Sequence, residues 1–233
     1  ATITAKEVTV TITSKGGTYG SVVAAAAKLS GAVDGENVPV TLTYIGNNYS
    51  SATVPVNVGS YTVTASIANS NYTLTGKTTA DFVITPKAVT VSGITAKDKV
   101  YDGNTNVVLD YSAVTLGGVL ENDTLTVTAT GTLESAGVGE RKVRISDLTL
   151  GGASAANYVL AESGNQTETS ATITAKEVTV TITSKGGTYG SVVAAAAKLS
   201  GAVDGENVPV TLTYIGNNYS SATVPVNVGS YTV

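Results

Sequence analysis

The sequence predicts an all-β protein built from small β-sandwich domains in tandem, forming an elongated array. The first observation is an alternation of apolar and polar residues, as in Val8, Val10 and Ile12, because successive side chains of a strand point to opposite faces. The second is the frequency of Gly, Asn, Asp and Ser clusters between such runs, which indicate turns. The third is a repeat: residues 1–63 recur letter for letter as residues 171–233. Short strands separated by turns are typical of sandwiches.

The repeat also divides the chain into domains. The passages that close on Ile-Thr-Pro-Lys (84–87) and Ile-Thr-Ala-Lys (173–176) both lead directly into a Val-Thr-Val run. A weak similarity between residues 29–46 and 116–131 relates the two passages to each other. We therefore predict a first domain at 4–86, a related second domain at 87–173, and an incomplete second copy of the first domain at 174–233.

The predicted strands follow in the same style through both domains. Thr and Val dominate the alternating runs, and both are favoured on a pleated, half-buried surface. In the first domain the alternating runs are Val8–Ile12, Val38–Tyr44, Tyr61–Ile67 and Phe82–Ile84. In the second they are Val89–Val91, Val107–Tyr111, Leu125–Ala129, Val143–Ile145 and Tyr158–Leu160.

One segment leaves two structures open. Ser21 to Leu29 (SVVAAAAKL) has a Ser at a possible N-cap position, a run of alanines and a nearby Gly, which favour a short helix. Nine residues are marginal as a helix without packing, so an extended connector is the alternative. A helix near 21–29 packed on the sheet would make each unit β-grasp-like.

The passage Val56 to Ile67 favours the sandwich instead. Its Gly-x-Tyr-x-Val pattern places Tyr61 at the start of a long strand, with Val63 where a disulfide cysteine lies in immunoglobulin-like sandwiches. In such sandwiches a tyrosine at this position forms a tyrosine corner. A tyrosine that simply packs in the core is the alternative.

Composition excludes several functions. Only 13% of the residues are charged, against about 25% in ordinary proteins, and no Lys/Arg cluster indicates nucleic-acid binding. The sequence has no Cys and therefore no disulfides; this suits bacterial export. No apolar run approaches the ~20 residues of a membrane span, so we expect no membrane insertion in this segment.

We expect no enzymatic activity and no cofactor. Without His or Cys, catalytic triads that use those residues are excluded. The acidic pairs Asp34/Glu36 and Glu121/Asp123 occupy equivalent predicted turns, where solvated carboxylates are the simpler interpretation. Asp102, Asn104 and Asn106 supply oxygens at alternate positions and are a weak calcium candidate. The later ligand positions of a calcium loop are missing, and a turn held by Asx hydrogen bonds is the simpler interpretation.

Two further features bear on surface chemistry. Lys15, Lys28 and Lys99 are candidates for a Lys–Asn cross-link of the kind found in some surface proteins, although lysines are usually solvated. The Asn-Tyr pairs make Tyr49, Tyr72 and Tyr158 candidates for ligand contact by stacking. The alternative is that these rings cap a small core and keep the hydroxyl wet.

Short motifs give a resemblance to known families. The passage KVYDGNTN (99–106) and the ending Gly152 to Tyr158 resemble the YDG domain, and KGGTYG, VGSYTV, NSNYTL and FVITPK in the first domain resemble the MBG domain. Such domains occur in tandem in large extracellular bacterial proteins, including adhesin-like ones. The resemblance therefore implies a surface-displayed or secreted repeat region and transfers no catalytic residue.

These observations predict a structural stalk or spacer of a bacterial cell-surface or secreted adhesin-like protein, projecting a functional domain from the cell. The expected partners are neighbouring repeat domains of the same chain. The alternative is a module that binds a glycan or a host extracellular protein with low affinity and gains avidity from repetition. We further expect residues 174–233 to be poorly ordered or completed by another chain, because an incomplete sheet exposes an edge.

Overall fold

A computed structural model describes residues 1–46, 48–216 and 218–233. It divides into two compact units. The first unit comprises Ala1–Ile94, Tyr111–Thr130 and Ile145–Thr167. The second comprises Thr95–Asp110, Gly131–Arg144 and Glu168–Val233.

The first predicted domain lies within the first unit and folds as two sheets. Its strands are β1 (Lys6–Thr13), β2 (Gly16–Thr18), β3 (Ser21–Val23), β4 (Ala26–Ser30), β5 (Val40–Gly46), β6 (Tyr49–Ser51), β7 (Gly59–Ile67), β8 (Tyr72–Thr75) and β9 (Thr79–Thr85). One sheet has the order β4-β1-β8 and the other the order β3-β2-β9-β7-β5-β6. The alternation in the sequence is the alternation of burial, since Val8 and Val10 are buried between exposed neighbours in β1.

Side chains exchanged between the two sheets form the core. Phe82 and Ile84 of β9 are each 1% exposed and belong to the main cluster, against which Ile12 of the smaller sheet packs. In return, Ile67 of the larger sheet packs against a second cluster that contains Val8 and Tyr72. Two sheets that share their apolar faces in this way make a β-sandwich, as the sequence predicts.

The helix considered for Ser21–Leu29 does not form, and the β-grasp alternative is wrong. The segment forms β3, which pairs with β2, and β4, which pairs antiparallel with β1 so that Leu29 faces Val10. Val22 and Val23 are β-branched and favour strands, and the edge of β1 offers the following alanines a full hydrogen-bonding partner. Tertiary pairing overrides the helix propensity of alanine.

Tyr61 both packs in the core and forms the hydrogen bond of a tyrosine corner. The residue is 5% exposed, and its hydroxyl donates to the carbonyl oxygen of Asn57 at 2.9 Å. A tyrosine corner is defined by this bond to the backbone a few residues upstream. The two interpretations of Tyr61 are therefore one structure.

The second predicted domain contributes residues to both units. Its strands are β10 (Lys87–Ser92), β11 (Thr95–Ala96), β12 (Lys99–Val100), β13 (Asn106–Val107), β14 (Leu109–Asp110), β15 (Thr115–Gly117), β16 (Thr126–Leu133), β17 (Gly139–Gly151), β18 (Tyr158–Leu160) and β19 (Glu168–Thr174), with a 3₁₀ helix at Ala155–Asn157. The sheets have the orders β15-β10-β18, β11-β14 and β12-β19-β17-β16-β13.

The strand registers relate the second domain to the first. Lys6 pairs with Tyr72 in parallel strands, and Lys87 pairs with Tyr158 in the same way. Gly59 pairs with Ile84 and Gly139 with Ile173. The antiparallel pairs Val10–Leu29 and Val91–Leu116 carry the weak similarity between residues 29–46 and 116–131.

The remaining residues form short hairpins in the second unit. These are β20 (Thr179–Thr183) with β23 (Ala196–Ser200), β21 (Gly186–Thr188) with β22 (Ser191–Val193), and β24 (Tyr214–Gly216) with β25 (Tyr219–Ser221). In the described residues of the whole chain, no helix is long and apolar enough to cross a bilayer.

Candidate functional site: tyrosine–carboxylate junctions

A tight turn in the first domain holds a carboxylate against a buried tyrosine. The turn runs from Val33 to Glu36 and closes with a hydrogen bond from the Glu36 N–H to the Val33 carbonyl at 3.0 Å. Gly35 has a φ of 82°, a left-handed conformation that glycine adopts without strain. Tyr72 Oη donates to the Glu36 carboxylate and accepts the Val33 N–H at 3.0 Å. The hydrogen bond to Glu36 raises the pKa of Tyr72.

The second domain repeats this turn with different residues. Leu120 to Asp123 closes with the Asp123 N–H on the Leu120 carbonyl at 3.2 Å, and Asn122 takes the left-handed position with a φ of 73°. Tyr158 Oη donates to Asp123 Oδ2 at 2.5 Å and accepts the Leu120 N–H at 3.0 Å. Glu36 and Asp123, members of the two acidic pairs that the sequence placed in equivalent turns, therefore occupy equivalent turns that bind a tyrosine.

Asp123 also binds a residue of the first domain. Its Oδ1 accepts the hydroxyl of Tyr19 at 3.3 Å and that of Ser154 at 3.0 Å. The rings of Tyr19 and Tyr158 meet edge to face, with centroids 5.4 Å apart, an arrangement that aromatic pairs favour. The hydrogen bond from Tyr158 is the largest cause that lowers the pKa of Asp123, and burial raises the pKa of Tyr158.

Tyr19 is held at this position by the tip that follows β2. Its backbone N–H donates to the Thr85 carbonyl at 2.9 Å, so the tip is fixed to the strand that precedes the second domain. Gly20 has a φ of 80°, and a Cβ there would lie 2.6 Å from Leu120 Cδ1. Glycine is therefore required both by the backbone conformation and by the close approach of Leu120.

A second set of hydrogen bonds joins the same two domains. Asn157 Oδ1 accepts the Val58 N–H at 2.9 Å, and Asn157 Nδ2 donates to Asn57 Oδ1 at 3.2 Å. Asn57 also accepts the Tyr61 hydroxyl at its carbonyl. The tyrosine corner of the first domain is thereby connected to the Asn-Tyr pair of the second.

The second compact unit contains a junction of the same kind. The Tyr101 N–H donates to the Thr174 carbonyl at 2.9 Å, as Tyr19 does to Thr85. Tyr101 Oη donates to the carboxylate of Glu206, which is the counterpart of Glu36 in the repeated sequence. A Cβ on Gly103 would lie 3.2 Å from Val203 Cγ1. In both junctions a Tyr-Gly or Tyr-Asp-Gly tip reaches the turn carboxylate of the domain that follows.

The calcium candidate residues surround a lysine. Lys99 Nζ lies 2.6 Å from Asp102 Oδ1, 3.0 Å from Asn104 Oδ1 and 2.9 Å from the Asn106 carbonyl oxygen. The hydrogen bond from Lys99 lowers the pKa of Asp102. Asp102 Oδ1 and Asn104 Oδ1 also accept backbone N–H groups two residues ahead, as Asx turns do. A calcium ion would have to displace the ammonium group of Lys99.

Lys99 is also one of the three lysines considered for a Lys–Asn cross-link. Its proximity to Asn104 makes this pair the one to inspect, and the cross-link stays a prediction that the loss of one ammonia in the intact mass would reveal.

The three candidate ligand-contact tyrosines differ in availability. Tyr72 and Tyr158 are each 6% exposed and bind Glu36 and Asp123, so neither ring face is open to a sugar. Tyr49 is half-buried, packs edge to face on Tyr61 at 6.0 Å, and donates its hydroxyl to the Thr53 carbonyl. Ligand contact stays a prediction, and Tyr49 is the residue of the three at which it remains sterically feasible.

Sequence reasoning missed the tips of Tyr19 and Tyr101 as contact residues. A signal for them was present, because Tyr-Gly and Tyr-Asp-Gly follow a short strand signal at the same place in both domains, while each domain also carries an acidic turn. What the sequence did not reveal is that these two features come from consecutive domains and meet.

Comparison with protein families gives two matches, and comparison with curated proteins and with solved structures gives none. The MBG domain matches residues 8–88 and the YDG domain matches residues 85–169. The residues that form the first junction thus lie in two different families, with Tyr19 in one and Asp123 in the other. The chain carries an MBG domain followed directly by a YDG domain, in tandem.

Proposed function

We propose that this chain is a structural repeat segment, a stalk or spacer, of a bacterial cell-surface or secreted adhesin-like protein, and that it projects a functional domain from the cell. A spacer has to limit motion between its modules. Domains joined by small polar interfaces move relative to each other unless something prevents it. The proposal therefore depends on how consecutive domains are joined.

The connection between the MBG and YDG domains leaves almost no free chain. Strand β9 ends at Thr85 and β10 begins at Lys87, so Pro86 alone lies between them. Proline fixes its own φ near −65° and restricts the residue before it. A one-residue connection of this kind supports a spacer rather than a flexible linker.

The single observation that carries the proposal is the sharing of Asp123. One carboxylate accepts the hydroxyl of Tyr158 from its own domain and that of Tyr19 from the preceding domain. Because Tyr158 fixes the carboxylate on one side, the Tyr19 tip binds an acceptor that is already oriented. Hydrogen bonds to a charged acceptor are stronger than those between neutral groups, which suits a contact that must resist bending.

Replacement in the parent bacterium tests the proposal. Three strains would carry the parent protein with residues 1–233 intact, with these residues deleted, and with an unrelated β-sandwich array of similar length in their place, each with an epitope tag beyond the segment. A spacer predicts that deletion reduces antibody access to the tag and adhesion, and that the unrelated array restores both. Proteolysis of intact cells checks surface location, and protection of the segment from added protease would overturn the proposal.

The adhesive alternative gives a different result in the same strains. If the unrelated array restores tag access but not adhesion, the sequence itself contacts a ligand. The intact chain, displayed multivalently on a glycan and matrix-protein array, would then identify the ligand class. Binding that persists at low display density would replace the spacer assignment with a binding module.

A further inference from the structure

Two copies of one turn differ in what covers them. Val33–Glu36 and Val203–Glu206 have the same sequence. Val203 is half-buried beneath the YDG tip, with Gly103 against it, whereas Val33 is 49% exposed. The same apolar residue is thus covered where a YDG tip is present and open where none is present.

We propose that the turn Val33–Glu36 is a docking surface for the Tyr-Asp-Gly tip of another YDG domain. The proposal concerns recognition between modules, so it holds whether the array serves as a spacer or as a binding module. The occupant is specified by the copy: Val203 to Glu206 receives Tyr101 to Gly103, and the first turn presents the same side chains.

The carboxylate of the first turn has room for a second tyrosine. A carboxylate has about four lone-pair sites on two oxygens, and Tyr72 takes one oxygen of Glu36. Asp123 demonstrates that both positions can be filled together, since Tyr158 binds Oδ2 while Tyr19 binds Oδ1. A tyrosine that enters at Glu36 would complete the arrangement that already exists at Asp123.

The apolar neighbour of the carboxylate selects the kind of tip. The MBG tip places Gly20 against Leu120, and the YDG tip places Gly103 against Val203. Val33 is the counterpart of Val203, so its turn matches the YDG tip in both the branched side chain and the acid. Glutamate at position 36 has one methylene more than Asp123, which also pairs it with the partner of Glu206.

An extended chain tests the proposal. Residues 87–170 are repeated ahead of residue 1, which reproduces the natural connection of Ser170 to Ala171. The protein has no cysteine, so two introduced cysteines, one on an exposed strand of the added YDG domain and one on the first MBG domain, accept nitroxide labels without background. Pulsed electron paramagnetic resonance then gives the distance distribution across the new junction.

Docking predicts one narrow distance peak that broadens when the tyrosine of the added tip is changed to alanine, and that broadens similarly in Val33→Asp. The matched control is Tyr101→Ala at the original tip, which should leave the labelled distance unchanged because it releases Glu206 instead. Equal peak widths in the parent and in both junction variants would overturn the proposal. That result would leave the Tyr19–Asp123 junction, and with it the spacer proposal, unaffected.

Discussion

Residues 1–63 and 171–233 are identical in sequence but not in structure. In the first copy β1 spans Lys6–Thr13, and Val8 and Val10 are 1% and 6% exposed. In the second copy the matching strand shrinks to Thr179–Thr183, and Val178 and Val180 are 43% and 42% exposed. The difference separates what a segment specifies by itself from what its partners impose.

Local features survive in both copies. The hairpin of β1 with β4 keeps its register in β20 with β23. The tyrosine corner is present twice, with Tyr61 on the Asn57 carbonyl at 2.9 Å and Tyr231 on the Asn227 carbonyl at 3.0 Å. Contacts between residues that are close in the chain are thus encoded by the repeated segment alone.

The long strands do not survive. Strand β5 shortens from Val40–Gly46 to Tyr214–Gly216, and β7 is reduced to a bridge between Ile215 and Thr232. The first copy pairs β1 with β8 and β7 with β9, and counterparts of β8 and β9 are not within residues 171–233. The apolar residues of the second copy instead line an open cleft of about 440 Å³ that includes Tyr214 and Val233.

The largest expected effect comes from supplying the missing strands. A copy of residues 64–88 added after Val233 should fold the second copy like the first, because the counterparts of Phe82 and Ile84 each gain about 1.5–3 kcal/mol on burial. Hydrogen exchange should slow at Val178 and Val180, measured by mass spectrometry. An extension with serine at the positions of Phe82 and Ile84 is the control, and unchanged exchange with the native extension would contradict the comparison.

Removing the central aromatic ring should convert the first copy toward the second. Phe82→Ala should lower the free energy of unfolding by about 3–5 kcal/mol, because the residue is 1% exposed and leaves a cavity. Denaturant unfolding of the full chain measures the change. Val83→Ala lies on the opposite face of the same strand, where Val83 is 45% exposed, and should have little effect. Equal losses in the two variants would contradict the assigned core.

A matched pair of substitutions isolates burial from sequence. Val8→Ala removes apolar surface from the core and should cost about 1.5 kcal/mol at roughly 0.8 kcal/mol per carbon. Val178→Ala alters the same residue in the same local sequence but at an exposed site, where changes are usually within about 0.5 kcal/mol. Unfolding midpoints of the two variants decide the matter, and similar shifts would show that the copies are buried alike.

The smallest effect is expected at acid pH, where the two Tyr-Gly tips should differ. The pKa of Asp123 is held below its usual value, chiefly by the hydrogen bond from Tyr158. Its contribution to stability is therefore complete above about pH 4, the unfolded value, and is lost as the pH falls through the lower folded pKa. The ring resonances of Tyr19 should shift there by NMR, whereas those of Tyr189, which is 78% exposed, should not.

Asp123→Asn provides the control for this titration. The asparagine side chain cannot ionise, so the Tyr19 resonances should lose their acid transition. A transition that persists in this variant would assign the titration to another carboxylate.

The sequence predicted the strands well where one face is buried and the period of two is clear, as around Val8 and Tyr61. It did not decide the segment from Ser21 to Leu29, because alanine favours a helix and the deciding partner, β1, is a tertiary feature. The same limit applies to the candidate site. Tyr72 and Tyr158 were identified as candidate contact residues, but their burial depends on turns 36 and 35 residues away.

The junction residues lay outside sequence reasoning for a related reason. Tyr19 and Asp123 are separated by 104 positions, and neither residue is unusual in its own neighbourhood. Only the fold brings a tip of one domain beside a turn of the next. The repeated segment made Glu206 recognisable as the equivalent of Glu36 once the first turn was described.

The parallel pairing of β2 with β9 has a mechanical consequence. Gly17 pairs with Ile84 and Thr18 with Thr85, and the chain enters this pair from the amino-terminal side of β2 and leaves from the carboxyl end of β9. Tension applied along the chain would pull two strands that run in the same direction past each other, so that their hydrogen bonds are loaded together in shear and are not opened one at a time. Strand β12 pairs with β19 in the same sense, so each domain would meet a pulling force with the same grip.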